Sequence, residues 1–184
     1  MILLPDSSLT KRALATALKE LMQSRPFNRI SVSDICERCE MNRKSFYYHF
    51  KDKYDLVNWI YYSECIAVIQ KNGYDNRWEL LDDLCACLYD NRSFYRKTLE
   101  FEGQNSFSAY FRNIIISIIS DDMKQIYANE GSTDFFVNFY ADAFLCAIKR
   151  WLTQKDCMPA DEFTRLLRRC LIDTTSHLIR DYSC

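Results

Sequence analysis

Apolar residues recur at spacings of three and four along most of the chain. Leu14, Ala17, Leu18, Leu21 and Met22 share one helical face. Pro26 closes that segment, since proline lacks an amide hydrogen and disfavours helix at Arg25 before it. Later breaks fall at Gly73, Gly103, Gly131 and Pro159. Between them the pattern predicts helices over roughly 53–71, 93–101, 106–129 and 133–155, with a last one after Pro159 to about residue 181. No stretch alternates convincingly with a period of two, so the chain reads as all-α, with about nine helices. Only three Gly and three Pro are present, which suits long helices better than a turn-rich β fold.

The densest local signals lie between Ser31 and Leu56, SVSDICERCEMNRKSFYYHFKDKYDL. They predict two short helices joined by a tight turn, then the start of a third. Ser31 and Asp34 have the spacing of a capping box, in which hydroxyl and carboxylate each bond the other residue's amide. Asn42 is placed to cap the second short helix, and Asp52 and Asp55 repeat the logic for the third. Ile30, Val32, Ile35, Met41, Phe46 and Phe50 are expected to face inward, with Phe46 and Phe50 on one face at i, i+4.

The second short helix then presents Arg43, Lys44, Ser45, Tyr47, Tyr48 and His49 elsewhere. In a helix-turn-helix this helix enters the major groove while the first braces it. Arg43 and Lys44 sit in its first turn, where arginine can bond a guanine bidentately and lysine can meet guanine or phosphate. Ser45, Tyr47 and His49 suit phosphate contacts, and Tyr48 a thymine methyl or a base edge. Lys53 is expected to hold a phosphate together with helix amides. Taken singly, each basic residue also reads as a solvated surface and each tyrosine as core. The capped setting is what points to duplex DNA.

Charge adds modest support. The 184 residues carry a net −1, yet residues 1–60 hold ten Lys/Arg against seven Asp/Glu and the remainder fourteen against eighteen. A basic head on an acidic body suits a DNA-binding module joined to a second function. The N-terminal MILLP lacks the charged and long apolar regions of a signal peptide. The Ile114–Ile119 run falls far short of the ~20 residues of a membrane span. A cytoplasmic protein is therefore expected, with its nine cysteines as reduced thiols. Cys36 and Cys39 form a C-x-x-C without a second pair, so packed thiols are expected there and no metal or cofactor. Catalysis is not expected either. His49 and His177 are the only histidines, no glycine-rich phosphate loop occurs, and the adjacent pairs Asp82-Asp83 and Asp121-Asp122 point to different helix faces.

With F-Y-Y-H-F followed by K-D-K-Y-D-L, and S-V-S-D-I upstream, the segment from Leu9 to Ile60 resembles the DNA-binding domain of TetR-family transcription regulators. S-D-I-C-E-R-C, N-R-K-S-F-Y-Y-H-F, Y-D-L-V-N-W-I-Y and the later F-Y-A-x(9)-W-L resemble its dihydroxyacetone-kinase-regulator-like subgroup. The resemblance implies a three-helix head on a helical ligand-binding and dimerisation body. It implies DNA contacts at Arg43, Lys44, Ser45, Tyr47, Tyr48, His49 and Lys53, a homodimer on a palindromic operator, and a small-molecule effector or protein co-regulator acting on the body. The family usually has glycine in the turn where this chain has Glu40, which predicts either a strained turn or a differently shaped one. No flexible linker separates head from body. The expected division, 1–58 and 59–184, therefore falls inside the fourth helix.

Two further sets of candidates lie in the body. The segment holding Phe135, Phe136, Phe139, Tyr140, Ala143, Phe144, Ala147 and Trp151 is apolar over more than half its girth, as is the last helix. A helix apolar on two faces must bury both. One face is expected to pack within the protomer and the other on a symmetry mate, with Phe136, Tyr140, Phe144, Ala147, Trp151, Leu167, Leu171 and Leu178 at the interface. Trp78, Tyr89, Phe94, Tyr95, Phe111 and Tyr127 either line a ligand pocket or fill the core.

Overall fold

The structure is a computed structural model that describes residues 7–67, 69, 73–74, 76–101, 106–127 and 131–181. Among them are nine α-helices and no strand. The first four are α1 (Ser7–Ser24), α2 (Val32–Arg38), α3 (Arg43–His49) and α4 (Lys53–Tyr61). A single 3₁₀ turn, Phe27–Arg29, separates α1 from α2, and a π turn, Tyr62–Ile66, extends α4. The body follows as α5 (Arg77–Asp90), α6 (Arg92–Leu99), α7 (Phe107–Ile126), α8 (Thr133–Thr153) and α9 (Ala160–Asp181).

Capping chemistry sets the first boundaries. The Asp34 amide donates to the Ser31 hydroxyl at 3.1 Å, and the Ser31 amide donates to the Asp34 carboxylate at 2.7 Å. Asn42 accepts from the Ser45 amide at 2.8 Å. Asp52 accepts from the amides of Tyr54 and Asp55 at 2.8 and 2.9 Å. The reciprocal bond at α4 starts one residue earlier than in a standard box, since Asp55 takes the Lys51 amide at 3.0 Å. These caps satisfy amides that have no partner inside the helix.

Helices α1–α4 close around Leu14, Leu18, Phe27, Ile30, Ile35, Phe46, Phe50 and Leu56, all buried. α4 continues into the body, where Tyr61 is its anchor. The Tyr61 ring meets Tyr95, Phe107 and Phe111 edge-on, with centroids 5.6, 5.2 and 5.5 Å away. Edge-to-face packing of this kind adds to the stabilisation from area burial, so the last turn of α4 is held firmly by the body. In the body α7 packs along α8, α5 lies against α9, and α6 touches both α7 and α8.

One expectation about cysteine is corrected here. Cys65 on the π turn and Cys87 on α5 form a disulfide, with Cα atoms 5.9 Å apart. Their separation of 22 residues carries no local signature, and only the packing of the π turn on α5 brings them together. Cys36 and Cys39 are free and packed in the head. Burial pushes both thiols up from their ordinary pKa, and the Cys39 thiol donates to the Ile35 carbonyl at 3.2 Å.

Candidate nucleic-acid interface and body cavity

Helix α3 divides sharply between its two sides. Phe46 is 0% exposed, whereas Tyr47 is 50% and Tyr48 83% exposed. Arg43 and Lys44 also face solvent. A tyrosine as bare as Tyr48 gains nothing from burial in the folded protomer, and large apolar side chains left outside commonly mark contact surfaces. Arg43 lies over the Tyr47 ring, its guanidinium carbon 5.8 Å from the centroid. Ser45 is engaged locally, since its hydroxyl donates to the Asn42 side chain at 3.2 Å. His49 is half-buried beside Tyr48, ring centroids 4.9 Å apart. Burial, with Lys11 nearby, lowers the His49 pKa from its ordinary value, which disfavours the charged imidazolium. Six of the seven residues expected to touch DNA thus lie together on α3.

Lys53 is placed differently. Its ammonium donates to the carbonyls of Phe27 at 2.8 Å, Ile30 at 2.7 Å and, more weakly, Asn28 at 3.4 Å. It also sits 4.6 Å from the centre of the Phe27 ring. Burial lowers its pKa. An ammonium has three donors, and here all three bond the turn between α1 and α2. In this structure it ties α4 to that turn rather than standing free at the surface.

Glu40 answers the question its sequence raised. Its φ is +54°, in the left-handed region where glycine is favoured. The α2–α3 turn therefore keeps the conformation that glycine would supply, and Glu40 carries the strain. The turn is further closed by the Met41 amide on the Cys36 carbonyl at 2.9 Å.

The body contains an apolar cavity of about 370 Å³. Its walls come from α5 (Trp78, Leu80, Leu81, Leu84), α7 (chiefly Ile115, Ile118, Ile119 and Met123) and α8 (Tyr140, Phe144, Ile148), with Asp122 at the lining. Of the six aromatics singled out from sequence, only Trp78 lies on it. Phe94, Tyr95 and Phe111 are buried core residues. Tyr89 stacks on Trp151 at 5.9 Å, and Tyr127 stacks on Phe136 at 3.7 Å. The cavity is mainly aliphatic. The isoleucine-rich run of α7 was its signal in the sequence, but apolar periodicity does not distinguish a cavity wall from a filled core.

The residues expected at a dimer interface fall in several different environments of the protomer. Tyr140 and Phe144 line the cavity. Trp151 is buried inside the protomer, stacked on Phe163 at 4.2 Å, with its indole N–H donating to the Met158 carbonyl at 2.8 Å. Phe136, Ala147 and Leu167 are half-buried, and the side chains of Leu171 and Leu178 lie outside the described residues. The outward stripe of α8 runs one residue earlier. Phe135 is 65% and Phe139 57% exposed, with Ala143 and Cys146 continuing the line. Leu166 and Ile172 are exposed on α9. A helix apolar all round does not reveal from its sequence which face turns outward. Among the described residues no helix is long and apolar enough to cross a membrane.

Comparison with known proteins agrees with this architecture. The family described as bacterial regulatory proteins, tetR family, matches residues 14–60. The family described as transcriptional regulator C-terminal region matches residues 75–173. Over 149 residues the chain is 32% identical to the HTH-type dhaKLM operon transcriptional activator DhaS of Lactococcus lactis subsp. lactis (strain IL1403), covering 78% of this chain and 79% of that protein. Among solved structures, the dihydroxyacetone kinase operon activator DhaS superposes with a TM-score of 0.65 at 21% identity, covering 90% of this chain and 96% of the other. A TetR transcriptional regulator from Streptococcus agalactiae 2603V gives 0.64 at 22% identity, covering 87% and 92%. NalD, the secondary repressor of the MexAB-OprM multidrug efflux pump in Pseudomonas aeruginosa, gives 0.62 at 16% identity, covering 91% and 97%. At these identities the solved structures speak for the fold, while the sequence matches speak for descent. The chain belongs to the TetR family of transcription regulators, on the side of that family where DhaS lies.

Proposed function

We propose that the protein binds a palindromic operator as a homodimer, each copy placing α3 in the major groove. One observation carries this reading: α3 buries Phe46 completely while leaving Tyr48 83% exposed beside Arg43 and Lys44. On this reading Arg43, Lys44 and Tyr48 meet base edges or phosphates, and Tyr47 supports Arg43. Ser45 and His49 meet the backbone at the margin of the contact. Residues 1–58 form the DNA-binding head and 59–184 the regulatory and dimerisation body. The exposed stripe of Phe135 and Phe139, with Leu166 and Ile172, meets its counterpart in the second copy. That arrangement sets the two heads on half-sites about 34–36 Å apart.

The cavity is the proposed effector site, and its walls favour a largely apolar molecule. A second reading has one observation in its favour. The relative DhaS is described as an activator of the dhaKLM operon, which fits a regulator that activates with a protein partner and takes no small ligand of its own. Purified protein and the duplex upstream of its own gene discriminate the two. Binding that falls steeply with salt, through counterion release, and that small apolar molecules alter supports the sensor. Salt-dependent binding indifferent to such molecules supports the partner-dependent activator. Binding that is absent, or insensitive to salt, contradicts both.

A further inference from the structure

The Cys65–Cys87 pair joins two elements with different tasks. Cys65 belongs to the π turn that prolongs α4, and α4 is the helix that follows the recognition helix. Cys87 lies on α5, one turn beyond Leu84 on the cavity wall. Single π turns inside α-helices are rare and tend to occur at functional positions. This one is tied on both sides: Glu64 pairs with Lys19 of α1 at 2.5 Å, and Cys65 is linked to α5. The pairing is selective, since Cys36, Cys39, Cys85, Cys146, Cys157 and Cys170 are all free. The Cα separation of 5.9 Å lies where disulfides form without backbone movement. Cys65 is 1% exposed, whereas Cys87 is half-buried and open to a small reagent.

We propose that Cys65 and Cys87 form a reversible thiol–disulfide site that fixes α4 to the cavity helix α5 and thereby sets the DNA affinity of the head. Its co-substrate is a low-molecular-weight disulfide. The Cys87 thiolate attacks one sulfur of that molecule, giving a mixed disulfide and one released thiol. The Cys65 thiolate then attacks the Cys87 sulfur and expels the second thiol. The two protein thiols are oxidised, the small disulfide is reduced, and the two protons pass to the two leaving thiolates. Closed, the bond holds the π turn against α5. Open, it leaves the π turn held by the Tyr61 ring contacts and the Lys19–Glu64 pair alone, without a covalent link to the cavity helix. The DNA consequence rests on the reading of α3 as the recognition helix, whereas the bond itself does not.

The test uses the full chain, reduced and then equilibrated with mixtures of reduced and oxidised glutathione. Remaining thiols are alkylated, and the digested protein is mapped by mass spectrometry. The expected result is a Cys65–Cys87 cross-linked peptide about 2 Da lighter than its reduced parts, reopened by dithiothreitol. DNA affinity by fluorescence anisotropy should differ about 5-fold or more between the two states, the scale of allosteric coupling. C87S and C87A, at the half-buried position, should show one affinity throughout. Cys65 and Cys87 that remain alkylatable at the oxidising end would overturn the proposal, as would a cross-linked protein that binds DNA like the reduced one. If no state binds DNA, the fault lies with the head assignment. Amide exchange over residues 60–67 then decides: slower exchange in the oxidised protein supports the site, and unchanged exchange refutes it.

Discussion

Arg43 rests against Tyr47, one turn further along α3, with an Nη 3.4 Å from the phenol oxygen and the guanidinium carbon 5.8 Å from the ring centre. The contact raises the Arg43 pKa further. It also limits the rotamers of an exposed side chain. A guanidinium already oriented loses less entropy when it meets a base edge or phosphate. Tyr48, next along the helix, has no comparable burial and stands outward, 83% exposed.

Glu40 is the strained point of the head. Its positive φ of 54° costs a non-glycine residue roughly 1–2 kcal/mol, partly offset by the greater unfolded-state freedom of glycine. Glu40→Gly is expected to raise stability by about 1 kcal/mol in urea unfolding and to leave DNA affinity unchanged. A loss of stability would mean that the Glu40 side chain contributes more than its backbone costs.

Lys53 gives the opposite case. Lys53→Met keeps the length of the stem but leaves the carbonyls of Phe27 and Ile30 without their donor. The expected loss is about 2 kcal/mol, on the scale of charged hydrogen bonds, read as a lower urea midpoint. The salt dependence of DNA binding should not change. A slope shallower by about one phosphate contact, with stability intact, would return Lys53 to the DNA surface.

Local and distant information separate clearly in these examples. The caps at Ser31, Asn42 and Asp52, the inward set around Phe46 and the exposed set on α3 were legible from sequence, because each depends on spacings of three or four residues. The fate of Lys53 was not, since its acceptors lie more than twenty positions earlier. Which side of α8 turns outward was not legible either, because Phe135 and Phe136 are equally apolar and only the packing against α7 chooses between them. The cavity and the Cys65–Cys87 bond likewise depend on how α5 meets α7 and α4.

Asp34 supplies a pH signature. Bonds from the Ser31 hydroxyl and amide, then from Arg25, hold its pKa at about 2 against an ordinary 3.8. A carboxylate lowered on folding stabilises the protein fully above its unfolded pKa, and that contribution fades as pH falls toward the folded value. Unfolding midpoints should therefore drop between about pH 4 and pH 2. Asp34→Asn should be less stable at pH 7 and flatter across that window. Parallel profiles for the two proteins would contradict the assignment.

The exposed stripe of α8 bears on assembly. Replacing Phe135 and Phe139 together by serine removes the two most exposed phenylalanines of the helix without touching its buried side. Sedimentation velocity at micromolar concentration should show a dimer for the parent and a monomer for the variant, with helicity unchanged by circular dichroism. A variant that remains dimeric would move the interface elsewhere.

The most direct measurement compares the parent protein with an Arg43→Ala, Tyr48→Ala double variant on the duplex upstream of its own gene. Both substitutions lie at exposed positions, so the fold should survive, as unfolding midpoints will verify. The account predicts a stable, dimeric variant that has lost specific binding. A stable variant that still binds the operator with the affinity of the parent would contradict the placement of α3 in the groove.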